Sequence, residues 1–258
     1  MMSEETQAPV LTEVRGNILI ITLNRPEAKN AANRTLAEGV AAALDRLDSD
    51  DTLFVGIITG AGGTFCSGMD LKAFLQGERP VVAGRGFAGI TEAPPKKPII
   101  AAVDGYALAG GMEVTLACDM TVANRDAKFG IPEVKRGLVA AAGAVLRLPR
   151  VIPPRIAMEL ALTGEHLTAQ RAYELGVVNR LTDGPAIDAA IELAETIAAN
   201  GPLAVAVSKR VIAESRLWSD EEMWEKQGAM IMPIFTSEDA REGAAAFAQK
   251  RKPEWKGR

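Results

Sequence analysis

The stretch from Lys97 to Glu133 reads KPIIAAVDGYALAGGMEVTLACDMTVANRDAKFGIPE, and it sets one carboxylate inside an apolar run. Ile99 to Val103 has the continuous apolar character of a buried strand. Asp104-Gly105 breaks it. Ala109-Gly110-Gly111 then opens a second run, Met112 to Cys118, too apolar for a surface helix. Two glycines where a strand meets a helix let backbone approach a ligand closely. The first amides of such a helix lack intrahelical partners, which suits an anion or a polarised carbonyl oxygen. Glu113 sits within the run, and Glu133 follows a short strand, Ala127 to Ile131. A charge in apolar surroundings needs a partner or a task. An isolated glutamate here would be read as paired with Lys135 or Arg136. The placement of Glu113 between Met112 and Val114, beside the glycine pair, favours a task.

The flanking sequence supplies layers around this segment. Val10 to Leu23 forms two short strands about a turn at Arg15-Gly16-Asn17. Asn33 can cap a helix from Thr35 to Leu47, and Leu53 to Thr59 is a further buried strand. The Gly60 to Gly63 cluster lacks the full GxGxxG pattern and reads as a flexible turn. Phe65 to Lys72, FCSGMDLK, is open to two readings. It is a plain turn with Asp70 capping a helix, or its amides add a second donor to the site built on Gly110. Gly77 to Pro98, rich in glycine and proline, is a loop excursion that shapes a pocket. After a turn at Gly137, a small-residue segment runs to Arg150. Helices are expected from Pro154 to Leu162, Ala169 to Leu175, Ile187 to Ala199 and Leu203 to Ala213. Ser237 caps a last amphipathic helix to Lys250, and the helix-rich final third forms its own layer.

Composition narrows the classes of function. A formal charge of −4 argues against a nucleic-acid face. The acidic start MMSEETQAPV has no signal-peptide run, and no apolar stretch reaches bilayer length. Cys66 and Cys118 are far apart, as expected for reduced thiols in the cytoplasm. One histidine, His166, and no Cys/His cluster exclude a structural zinc site. His166 reads as a surface or capping residue, without a nucleophile elbow for a triad.

In order, ITLNRPEAKNA, FCSGMDL, AAVDGYALAGGMEVTLACD, FGIPE, LTGEHLTAQRAYELGVVNRL and SEDAREGAAAFAQKRKPEW resemble the crotonase superfamily, specifically its enoyl-CoA hydratases. The resemblance spans nearly the whole chain. It implies an α/β fold: a spiral of ββα units over residues 1–190, followed by a helical trimerisation region over 191–258. It implies a coenzyme A thioester substrate, no metal and no redox cofactor, and a homotrimer or a dimer of trimers. Met69 and Gly110 match the two oxyanion-hole amides. Met69, Asp70, Leu71 and Lys72 match the adenine and pantetheine side, and Arg25, Ala28 and Lys29 match positions near the coenzyme's phosphates and adenine. Phe247 and Lys250 resemble tail-helix residues that reach the coenzyme, sometimes in a neighbouring subunit.

Glu113 and Glu133 match the two catalytic glutamates, and isomerases of the superfamily commonly keep only one. Hydratases usually carry Pro-Gly and then Gly-Gly after the second glutamate. Here Ala140-Ala141 and Gly143-Ala144 stand instead, so Ala141 would present the amide that helps position the water. The expectation is reversible syn addition of water to a trans-2-enoyl-CoA. The rivals are an isomerase or hydroxyacyl-CoA dehydratase on the same scaffold, and a non-catalytic acyl-CoA binding subunit.

Overall fold

A computed structural model describes residues 8–258. The acidic start discussed above lies outside the described residues, apart from its last residues. The chain begins with a hairpin, β1 (Val10–Arg15) and β2 (Ile18–Leu23), then α1 (Arg34–Ser49) and β3 (Val55–Gly60). The excursion carries α2 (Leu71–Leu75) and a two-stranded hairpin, β4 (Val81–Val82) with β5 (Gly86–Phe87). Next come β6 (Ile99–Val103), β7 (Tyr106–Leu108), α3 (Gly110–Ala117), β8 (Met120–Asn124) and β9 (Lys128–Gly130). They are followed by α4 (Ala144–Val151), α5 (Pro154–Thr163), β10 (His166–Thr168), α6 (Ala169–Glu174) and β11 (Arg180–Thr182). The chain closes with α7 (Ala186–Ala198), α8 (Pro202–Glu214), α9 (Met223–Phe235) and α10 (Glu238–Gln249).

Six strands form the main sheet in the order β1-β2-β3-β6-β8-β11, parallel except for the first pair. Of its central strands β6 is apolar at every position, and β2 and β3 are interrupted only by threonine and glycine, because both faces are covered. Leu19, Ile21, Ile58, Ala101 and Val103 face a core shared with α1 and the smaller sheet. The alternate residues Ile18, Ile20, Val55, Ile57, Ile100 and Ala102 face a second core closed by α7. A three-stranded sheet, β10-β9-β7, lies on the side of the first core. Successive hairpins and helices give the crotonase-type spiral.

Capping follows the sequence. The side chains of Asn33, Thr168 and Ser237 each accept from the backbone amide three residues on, at the starts of α1, α6 and α10. The expected division at residue 190 falls inside α7. That helix buries Ala186, Ala190, Leu193 and Ala194 against the sheet along its whole length. The helices that leave the core begin at Pro202, because α8 and α9 bury none of their residues within this chain. Lys209 of α8 ties them back. Its ammonium donates to Asp119 at 2.7 Å and to the Pro95 and Lys97 carbonyls at 2.7 and 3.0 Å. Among the described residues no single helix is long and apolar enough to cross a membrane.

Candidate active site

Two turns meet at the end of the spiral core. The first is Cys66-Ser67-Gly68-Met69. Its neighbours are pinned: Cys66 donates to the Tyr106 carbonyl at 2.8 Å, Gly68 accepts from Ala32 at 2.7 Å, and Asp70 donates to Ala32 at 2.9 Å. Among the described residues the Met69 amide donates to no protein acceptor. Asp70 caps α2, its carboxylate accepting from the Lys72 and Ala73 amides. The capping half of the two readings of FCSGMDLK is thus present, with a spare amide beside it.

The second turn precedes α3. Ala109 adopts φ 52° and ψ −125°, a region that favours glycine. Such strain costs about 1–3 kcal/mol and collects at functional sites. Ala109 is held there by its amide, which donates to the Gly130 carbonyl at 2.9 Å. As the first residue of α3, Gly110 has an amide with no acceptor inside the helix. A Cβ on Gly68 would lie 2.7 Å from the Ala109 Cβ and 3.2 Å from the Gly110 nitrogen. Glycine at 68 is therefore what lets the two turns touch. The glycine pair also serves packing: a Cβ on Gly111 would strike the Cys66 carbonyl at 2.1 Å, and one on Gly110 the Phe87 ring at 2.3 Å.

Glu113 is 3% exposed. Its Oε1 accepts from the Ala144 amide at 3.0 Å, the first amide of α4, and the Ala142 amide faces the same carboxylate. Burial raises its pKa to about 7; the two amides and Arg147 work against that rise, and the charge of Glu133 adds to it. Glu133 lies in a short turn, Pro132–Arg136, after β9. Its Oε2 is buried with no hydrogen-bond partner. Burial raises its pKa as well, while its own backbone amide and then Arg136 draw it back. Lys135, the alternative partner, donates instead to Glu165 at 2.7 Å.

Both glutamates, Met69, Gly110 and Ala141 line one cleft of about 900 Å³. Arg25, Ala28, Asp70, Leu71 and Lys72 line it too. The Arg25 guanidinium is already engaged, with Asp70 at 2.9 Å and the Ala31 carbonyl at 2.5 Å. Three expected residues lie elsewhere. Lys29 sits with its ammonium 5.7 Å from the Tyr106 ring centre. Phe247 is 88% exposed on α10, and Lys250 ends that helix with a left-handed φ of 53°. Neither lines the cleft of this single chain.

Sequence reasoning missed Phe87, Ala142, Ala144 and Arg147. One signal existed: Gly143 before an apolar-basic run marks a helix start, whose orphan amides need an acceptor. Ala141 lines the cleft, but the amide that donates to Glu113 is that of Ala144, with the Ala142 amide facing the same carboxylate. No group of three or more His, Cys, Asp or Glu side chains among the described residues could hold a metal ion.

The double-sided sheet, the spiral and the paired turns define a crotonase-fold protein. Residues 13–258 match the family model described as enoyl-CoA hydratase/isomerase, and the chain belongs to that family. Enoyl-CoA hydratase EchA19 of Mycobacterium tuberculosis is 41% identical over 270 residues, covering 100% of both chains. A carnitinyl-CoA dehydratase of Proteus mirabilis is 43% identical over 253 residues, covering 95% of this chain and 97% of the relative. A crystal structure of an enoyl-CoA hydratase from Mycobacterium tuberculosis H37Rv superposes with a TM-score of 0.95 at 61% identity, covering 97% of this chain and 100% of the other.

Proposed function

We propose that the chain is an enoyl-CoA hydratase, adding water reversibly and syn across the double bond of a trans-2-enoyl-CoA. One observation carries this: a buried carboxylate and a half-buried one, whose Oε2 is buried without a partner, share a cleft with two spare main-chain amides. Attack of water on C3 moves negative charge onto the thioester oxygen. The Met69 and Gly110 amides stabilise that oxygen, and each such donor is typically worth about 3 kcal/mol. The dipole of α3 adds to their effect. Glu113, held by the first amide of α4, takes the proton of the attacking water. Glu133, with a raised pKa, delivers a proton to C2. The two titrate as a coupled pair.

Arg25 orders the Asp70 turn through its ion pair, while Ala28, Leu71 and Lys72 flank the coenzyme. No metal or redox cofactor is needed, since the reaction only moves protons and water. Exposed Leu217, Trp224, Phe235 and Phe247 support assembly as a homotrimer or a dimer of trimers, which would bring Phe247 and Lys250 to a neighbour's coenzyme. The free thiols Cys66 and Cys118 suit a cytoplasmic setting.

Loss of the conjugated thioester absorbance of crotonyl-CoA tests the reading; no loss with folded protein ends it. Dehydration of a specialised hydroxyacyl-CoA is the second reading, favoured by the carnitinyl-CoA dehydratase relatives. A panel of enoyl- and hydroxyacyl-CoA esters ranks the two. Turnover of 3-enoyl esters alone would indicate an isomerase. Thermal stabilisation by esters without any turnover would indicate a binding subunit.

A further inference from the structure

Arg147 lies one turn inside α4, half-buried. Among the described residues no carboxylate forms an ion pair with it. Its guanidinium donates to two carbonyls on separate segments: Nη1 to Ala142 at 3.4 Å, and Nη2 to Thr91. Ala142 is the residue whose amide faces Glu113. Thr91 ends the turn that starts at Phe87, its amide donating to the Phe87 carbonyl at 3.2 Å. The Phe87 ring in turn packs on Gly110, as the 2.3 Å approach to a Cβ there shows. Room for the guanidinium is made by Gly143, where a Cβ would lie 2.2 Å from Nη1.

We propose that Arg147 is a positioning residue for hydration: it locks the Ala142–Ala144 turn that grips Glu113 to the cleft wall carried by Phe87. This rests on the hydration reading above. A planar guanidinium presents its donors in a rigid fork that can bridge two carbonyls on different segments, whereas an ammonium's donors radiate from one nitrogen on a flexible stem and fix that geometry less firmly. Glu113 is faced by Glu133 from the turn after β9, by the Ala142 and Ala144 amides and by Arg147, and Arg150 acts on Arg147. Removing the guanidinium withdraws a positive charge and slackens two donors, all of which favour the carboxylate. Glu113 then keeps its proton to higher pH.

The test compares Arg147→Met and Arg147→Lys with wild type in the full chain. Crotonyl-CoA kinetics are measured across pH, together with hydrogen exchange at the Ala142 to Ala144 amides. Arg147→Met lowers kcat by about tenfold to a hundredfold, the range for misplacing a reacting group, with KM little changed. Its acidic limb in kcat/KM moves up by about half a pH unit or more. Arg147→Lys keeps the limb near its wild-type position but recovers kcat only in part. Exchange at the turn quickens in both.

A folded Arg147→Met with wild-type kcat and pH profile overturns the proposal, as does a kcat loss with unchanged exchange. Should Arg147→Met fail to fold, Arg147→Lys with wild-type kcat and exchange overturns it. Wild-type protein without turnover defeats the hydration reading instead. Exchange at the turn then still decides whether Arg147 holds it.

Discussion

Glu113 and Glu133 share a cleft but live under different constraints. The α3 region around Glu113 is saturated: the side chain is 3% exposed and accepts from the start of α4. The turn that carries Glu133 leaves an oxygen buried with no partner. Two acids with similar charge are thus given different freedom. A carboxylate fixed by amides keeps its geometry through the reaction, while one without a fixed partner can exchange a proton with substrate at little loss.

Substitutions of the acids bear most strongly on that contrast. Glu113→Gln and Glu133→Gln each lower crotonyl-CoA turnover by about 10²–10⁴-fold, the range for acid-base groups. The double variant falls by much less than the product of the two, since the acids act on one water. Multiplicative losses in the double variant would show that they act independently.

Next in size is the shared carbonyl site. Gly68→Ala sets a methyl 2.7 Å from the Ala109 Cβ, at a backbone φ of 104°. It separates the two spare amides and lowers kcat by about 10²–10³-fold, with both acids intact. An unchanged kcat would assign the catalysis to the acids alone.

Stability against pH sharpens the contrast further. Glu113 has its folded pKa raised to about 7 from 4.5, so the folded state holds the extra proton between those values. Its contribution is neutral below the unfolded pKa, and stability is lost as pH rises through the folded one. Glu113→Gln removes that loss. At pH 8 it raises the unfolding free energy by up to about 3 kcal/mol, and near pH 4 by almost nothing, read from urea titrations at both pH values. The smallest effect is that of Lys135→Ala. Lys135 is paired with exposed Glu165, so kcat and the pH profile stay at wild type. A shifted profile would mean that Lys135 reaches Glu133.

Much of the fold was legible because its signals are local. The apolar runs of β2 and β6 follow from a sheet covered on both faces, and Asn33, Thr168 and Ser237 cap helices where their side chains predict. Helix α9 left no clear signal, because it carries Gly228 and Pro233 and buries nothing in its own chain. Residue 190 lies inside α7, whose small apolar face does not reveal in the sequence whether a sheet or another helix covers it.

The sequence alone determined that Glu113 must be buried, that a glycine pair opens its helix, and that a second acid follows a strand nearby. These rest on near-neighbour chemistry, written in consecutive residues. Tertiary structure alone decided that Ala144 would hold Glu113, that Lys135 would turn to Glu165, and that Arg147 would bridge Thr91 and Ala142. Hydrogen-bond partners drawn from 30 or more positions away depend on how the chain returns on itself. Directional bonds of a few ångströms select among many such returns, and no local pattern encodes that selection.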